Sequence, residues 1–158
     1  MTTIDEHLVA FGEAVLGQPL RIDGSGVCEL AFHGGRRLTL EPEPGTDKVH
    51  LYSTLARLPS RNAETVYGKL LTANLYGKGA DEAYFAIDPM EEALVLNRVL
   101  DVGRLDAETF GEVLTGFMDA VEHWSRELEG PGFAEPDEVP EAATEGGGPG
   151  AGAFIVRG

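Results

Sequence analysis

Apolar side chains recur at helical spacing in three stretches of the chain, and this spacing predicts three helices. The first helix begins with a capping-box pattern at Thr3–Glu6 and ends at Gly17. The second runs from about Ala63 to Tyr76, and the third begins after Asp106, a favourable N-cap. The apolar faces are Ile4, Leu8, Phe11 and Val15 in the first helix; Val66 and Leu70 in the second, with Tyr67, Leu71 and Leu75 beside them; and Phe110, Leu114, Phe117, Val121, Trp124 and Leu128 in the third.

Short alternating segments between these helices predict five strands. Gly34 and Gly35 predict a two-residue hairpin between the first two strands, and 89–92 form the turn between the last two. The predicted strands are Val27–His33, Arg36–Glu41, Lys48–Leu55, Ala83–Asp88 and Ala93–Leu100. The order of elements is α-β-β-β-α-β-β-α, and strands that come in hairpins favour an α+β fold in which helices pack on a twisted antiparallel sheet.

The composition changes once, near residue 129. Residues 1–128 contain all the predicted helices and strands and fit one domain of common size. Residues 129–158 are acidic and rich in glycine and proline, with few large apolar side chains. Such a segment buries too little surface to offset its ordering entropy, so we expect a disordered tail.

The charge of the chain is strongly acidic. Its 27 acidic and 12 basic residues give a net charge of −15 and a pI near 4.5. This field repels phosphate backbones and anionic lipid surfaces, which disfavours nucleic acid and membranes as partners. It can steer a basic partner toward the protein.

The sequence also bears on the compartment. A single cysteine, Cys28, fits a reducing environment. The N-terminal residues lack the pattern of a signal peptide, and no apolar run reaches the roughly 18 residues that span a bilayer. We therefore expect a soluble intracellular protein without membrane insertion.

Residue types suited to catalysis are present but scattered. No near spacing joins the four histidines, so we predict no metal site and no cofactor; they are His7, His33, His50 and His123. Cys28 could act as a nucleophile with His33 or His50, although its place in a predicted strand favours a packing role. Asp119 and Glu127 each lie one helical turn from His123, a spacing more typical of exposed ion pairs than of a base. We predict no catalytic residue, and a small hydrolase that uses Cys28 or His123 remains the alternative from the enzyme class.

Four segments, in order, resemble one protein family. Residues 70–77, Leu-Leu-Thr-Ala-Asn-Leu-Tyr-Gly, are similar to the helix end of class I type III secretion chaperones, the Tir chaperone family. Residues 85–89, Phe-Ala-Ile-Asp-Pro, resemble the strand and turn that follow in that family, and residues 94–98 its next strand. Leu105 and Asp106 with Phe110, and then residues 121–124, are similar to its last helix. The resemblance covers about residues 4–128.

This resemblance implies a function that composition does not show. Members are cytoplasmic homodimers of Gram-negative bacteria without ATPase activity, and they bind the N-terminal segment of a secreted effector and keep it competent for export. The implied dimer interface is the second helix and the strand after it, here Leu71, Leu75, Tyr84 and Phe85. The implied effector-binding region is the first helix and the first three strands, here Phe11, Phe32, Leu38, Leu40 and Leu55. A dimeric binding or regulatory protein outside secretion is the alternative use of the same fold.

Overall fold

The structure is a computed structural model that describes residues 3–130 and residue 133. Three helices and five strands follow one another in the predicted order. The helices are α1 (Ile4–Leu16), α2 (Ala63–Ala73) and α3 (Ala107–Glu129). The strands are β1 (Cys28–Phe32), β2 (Arg36–Pro42), β3 (Lys48–Arg57), β4 (Tyr84–Asp88) and β5 (Ala93–Asp101). Most of the tail predicted over residues 129–158 lies outside the described residues.

The five strands form one antiparallel sheet in the order β1-β2-β3-β5-β4. The chain leaves β3, passes through α2 to the edge strand β4, and returns through β5 to the middle of the sheet. Strands β1 and β4 are therefore the two edges. The long pairing of β3 with β5, from Lys48↔Asp101 to Arg57↔Ala93, holds the two halves of the chain together.

One face of the sheet is covered by helices, and this is where the core lies. Helix α3 crosses β3, and α1 packs against α3. The alternation predicted for the third strand is confirmed, since Val49, Leu51, Ser53 and Leu55 are all buried. The stripe of α3 supplies the helical half of the core, with Phe110, Leu114, Phe117 and Val121 buried.

A buried histidine joins the two ends of the domain. His7 on α1 is fully buried; its ring stacks on Phe110 of α3 with centroids 4.7 Å apart, and its Nε2 lies 3.1 Å from the carbonyl oxygen of Val102. The Nδ1 atom is buried without a hydrogen-bond partner among the described residues. The carbonyl fixes the tautomer with hydrogen on Nε2, because only that nitrogen can donate to it.

Both ends of α1 follow from its sequence. Thr3 and Glu6 form the predicted capping box, with the Glu6 carboxylate 2.8 Å from the backbone nitrogen of Thr3. Gly17 ends the helix in the left-handed conformation. The prediction that Val15 shares the buried face is wrong: its side chain is 59% exposed, because it borders an open cleft between α1 and α3 instead of packed side chains.

Two connections differ from the predictions. The loop between β1 and β2 has three residues, His33–Gly35, because Phe32 still pairs with Arg36 and both Gly34 and Gly35 adopt positive φ. Helix α2 ends at Ala73 rather than Tyr76. A short 3-10 turn, Leu75–Gly77, follows it, and the positive φ of Tyr76 breaks the helical path.

Candidate functional site

Large exposed apolar side chains concentrate where α2 meets β4. Leu71 and Leu75 are 68% and 61% exposed at the end of α2, and Tyr84 and Ile87 are 45% and 48% exposed on β4. We call these four residues the α2–β4 face; it takes in both sides of the edge strand, because Tyr84 and Ile87 alternate along β4. Tyr76, in the turn after α2, and Met90, in the turn after β4, are also exposed. An apolar surface of this kind on a folded domain indicates a binding site.

A groove runs through this face. It has a volume of about 290 Å³ and lies between the two elements, with no charged side chain in its lining. Phe85 is buried beneath it, where its ring meets the edge of Trp124 with centroids 4.7 Å apart. The lining residues are Tyr67, Leu70, Leu71, Asn74, Phe85, Ala86 and Ile87.

Asn74 holds the two sides of this groove together. Its side-chain amide donates to the carbonyl oxygen of Phe85 at 3.1 Å, and its side-chain oxygen accepts the backbone N–H of Phe85 at 2.7 Å. An asparagine thus satisfies the outward-facing backbone groups of an edge strand, as a neighbouring strand would. The asparagine in the segment 70–77 therefore has a structural reason: it fixes the end of α2 against β4.

Two glycines let the chain turn closely after α2. Gly77 has φ +66°, and a Cβ on Gly79 would lie 2.6 Å from the carbonyl oxygen of Ala73. The indole Nε1 of Trp124 donates to the carbonyl oxygen of Gly79 at 3.0 Å, which ties this turn to α3. The turn that positions Leu75 is therefore anchored from both sides.

The β4–β5 turn is fixed by Asp88. Its Oδ1 accepts the backbone N–H groups of Met90 at 2.9 Å and Glu91 at 3.2 Å. This is the local arrangement in which aspartate favours a turn, and Pro89 follows directly. The motif at 85–89 is therefore also structural, and it sets the register that exposes Ile87.

The five residues assigned by resemblance to effector binding lie mostly inside the protein. Leu38 and Leu40 are fully buried in β2, and Leu55 is 9% exposed in β3. Phe11 is 5% exposed, while Phe32 is half-buried at the end of β1. Most of these side chains are therefore not exposed, and the surface that lies over them consists of other side chains.

Phe11 nevertheless lines an open cleft of about 700 Å³ between α1 and α3. Small side chains form much of its floor, and Val15 lies at its end. Three carboxylates line it from α3: Glu108, Glu112 and Asp119. The cleft thus combines apolar and acidic groups. No pattern in the sequence predicts it, because the pairing of α1 with α3 is a tertiary feature.

Cys28, considered above as a nucleophile, lies in the core. Cys28 is 2% exposed, and burial, with the nearby charge of Asp23, raises the pKa of its thiol. A raised pKa lowers the thiolate fraction that a nucleophile needs. Within residues 3–130, no group of three or more metal-binding side chains comes together.

Membrane association through a spanning helix finds no support in the described part of the chain, where no helix is both long and apolar enough to cross a bilayer.

Comparison with known proteins shows the family. The model of the Tir chaperone protein (CesT) family matches residues 8–125, which is most of the described domain. A search of curated protein sequences finds no match.

Solved structures show the same fold. The ExsC–ExsE complex matches with a TM-score of 0.66 at 19% identity, over 80% of this chain and 97% of that one. The HopA1–SchA chaperone–effector complex matches at 0.61 and 17%, over 75% and 90%. The Yersinia pestis type III secretion chaperone SycH, in complex with a fragment of YscM2, matches at 0.61 and 16%, over 77% and 99%.

Proposed function

The chain belongs to the Tir chaperone protein (CesT) family, and we propose that it is a cytoplasmic homodimeric chaperone of type III secretion. It binds the N-terminal segment of a secreted effector and keeps that segment competent for export. The observation that carries this proposal is the family match over residues 8–125, which includes α2 and all five strands and most of α1 and α3. The solved complexes of the same fold, one of them described as a chaperone–effector complex, support it.

The α2–β4 face supports the homodimer. Leu71, Leu75, Tyr84 and Ile87 are exposed on it, and full burial of a large apolar side chain contributes about 1.5–3 kcal/mol. Of the four residues assigned to the interface by resemblance, three are on this surface. The fourth, Phe85, supports it from below, at 8% exposure.

The α1–α3 cleft and the end of β1 support effector binding. Phe11 lines the cleft, and Phe32 is partly accessible. We propose that Leu38, Leu40 and Leu55 act by holding the shape of this surface from inside, and that the carboxylates along α3 favour segments with basic residues.

Binding rather than catalysis is the proposed activity. The thiol of Cys28 is buried and its pKa is raised, which opposes the role that the hydrolase alternative needs. Alanine substitution of His123 would leave partner binding unchanged under our proposal.

The test is light scattering coupled to size exclusion, with and without a probe. The probe is the first 150 or so residues of the protein encoded beside this gene, and the control is a segment of equal length and charge from an unrelated protein. We expect a dimer of about twice the 16.9 kDa chain mass, which shifts to a two-to-one complex with the probe alone. A monomer that ignores the probe would contradict the proposal, and a dimer that ignores it would favour a regulatory role outside secretion.

A further inference from the structure

The described chain ends beside the α2–β4 face. Phe133 lies past the end of α3, with its ring centroid 6.3 Å from that of Trp124. The Nζ atom of Lys69, on α2, lies 4.9 Å from the centre of the same ring. Trp124 also contacts Phe85 under the groove, so the chain after α3 lies on the side of the molecule that carries the groove.

The sequence beyond Phe133 contains one cluster of large apolar residues. Residues 134–158 hold five acidic side chains and one basic side chain, and Phe154, Ile155 and Val156 are consecutive. Only Val139 is otherwise large and apolar in that stretch. The segment therefore has a single run that could fill an apolar groove.

Charge distinguishes the two concave surfaces for the tether that carries this occupant. The five carboxylates of the segment all lie at 135–145, close in sequence to the end of α3, and Glu108, Glu112 and Asp119 of the α1–α3 cleft would repel that acidic part of the tether. The groove of the α2–β4 face has a neutral lining, and Lys69 is on α2 close to it. The apolar run itself carries no acidic residue and is followed by Arg157, so its own charge selects neither surface. The acidic tether and the place where the described chain ends favour the second surface.

We propose that residues 153–156 fold back into the groove of the α2–β4 face of their own subunit, where they compete with a second copy of the chain. This inference rests on the proposed function in that the same face is the proposed dimer interface. Phe154 lies 21 positions after Phe133. A flexible chain of that length has a typical end-to-end distance of about 25 Å, so the tether gives the segment an effective concentration of the order of 1 mM near the groove.

Cross-linking in the full chain tests where the segment lies. In a Cys28→Ala background, Leu71→Cys with Ile155→Cys pairs the segment with the α2–β4 face. Val15→Cys with Ile155→Cys is the matched control, because Val15 and Leu71 are similarly exposed, at 59% and 68%, and belong to different surfaces. We expect an intrachain disulfide between positions 71 and 155 to form at least about tenfold faster than between 15 and 155, at a rate independent of protein concentration.

Three results would overturn the proposal. Equal rates for the two pairs would mean that the segment has no preferred site. A faster disulfide at position 15 would place it in the cleft. A 71–155 disulfide that forms only between chains, at a rate that rises with concentration, would mean that the segment covers the partner's face. None of these depends on effector binding, so failure here and failure of the proposed function can be told apart.

The dimer dissociation constant gives a second readout. We expect Phe154→Asp with Ile155→Asp to tighten the dimer about tenfold, because the tethered competitor is lost while the face itself is unchanged. The control, Ala142→Asp with Ala143→Asp, adds the same charge to the same tail and should leave the constant within about twofold. An equal effect of both pairs would assign the change to charge alone and contradict the proposal.

Discussion

Asn74 does for β4 what a sixth strand would do. A primary amide carries a donor and an acceptor in nearly the arrangement of a peptide group, and here both are used on Phe85. The backbone of an edge strand thereby gains a partner at one residue, and the end of α2 is fixed in position. Leu71 and Leu75 owe their placement to this contact as much as to helical spacing.

Removal of the amide should destabilise the fold. We expect Asn74→Ala to lower the free energy of unfolding by about 2–3 kcal/mol, because it leaves the part-buried N–H and C=O of Phe85 without partners. Urea denaturation measures the change. Thr72→Ala is the control: its exposed hydroxyl bonds only within α2, to Gly68, and the expected change is below about 0.5 kcal/mol. A similar small change for Asn74→Ala would refute the structural role.

Asp106 predicts a pH effect on stability. The backbone N–H of Thr109 donates to its Oδ1 at 2.8 Å and holds the pKa of this carboxyl below its ordinary value of 3.8. A pKa lowered in the folded state means that the charged carboxylate stabilises the fold above that ordinary value, and that this contribution is lost as the pH falls through the folded pKa.

The variant Asp106→Asn isolates this charge, because asparagine caps a helix well without ionising. Urea midpoints of both proteins should differ by a constant amount above about pH 5 and converge as the pH falls below the ordinary aspartate pKa. A difference that stays the same down to pH 2.5 would contradict the assignment.

At the scale of elements, the periodicity of apolar residues predicts the features that depend on one helix or strand alone. The stripe of α3 is buried as its spacing predicts, and the capping box begins α1 where the sequence indicates. Val15 continues the same spacing but is exposed, because burial at a helix end depends on what lies opposite it. Gly34 and Gly35 predict a turn correctly, yet their sequence does not reveal that His33 also belongs to the loop.

The α2–β4 face shows the same limit on what a sequence pattern predicts. Leu71 and Leu75 fit a helical pattern as well as Leu70 does, and only the packing of the domain distinguishes the buried residue from the exposed ones. Similarly, Leu38 and Leu40 alternate as strand residues should, but that pattern cannot say whether their face is covered. Asn74 belongs to a motif that is visible in the sequence, but the sequence does not show that its hydrogen-bond partner is Phe85, eleven residues away in β4.

A charge on this face should weaken the proposed dimer. We expect Leu71→Asp to raise the dimer dissociation constant about a hundredfold or more, because burial would now remove water from an unpaired carboxylate. Sedimentation equilibrium measures the constant. Val15→Asp adds the same charge at a similarly exposed site on α1 and should change it less than about threefold. Equal weakening by both variants would exclude the α2–β4 face as the specific interface.

The whole molecule carries a net charge of −15 at neutral pH. Two such subunits repel each other, whereas the groove between α2 and β4 has a neutral lining. Burial of apolar surface in the proposed dimer must therefore overcome a long-range repulsion between the subunits. Salt screens this repulsion, since the Debye length falls from about 30 Å at 0.01 M to about 8 Å at 0.15 M.

Salt should accordingly strengthen the proposed dimer. Between about 0.01 and 0.3 M NaCl, we expect the dissociation constant to fall about three- to tenfold, as light scattering over a dilution series would measure. A dimer held by ion pairs across its interface would respond in the opposite direction, and weakening by salt would contradict an apolar interface.

The contact of His7 with Val102 has a consequence for how the protein is made. It joins residues 95 positions apart, and the ring also rests on Phe110, so nothing covers this side of α1 until most of the domain has left the ribosome. During synthesis Leu8 and Phe11 emerge first and find their neighbours last, since domains fold only when their distant contacts can form. For most of its own translation, the nascent protein displays the kind of unprotected apolar segment that its family shields in others.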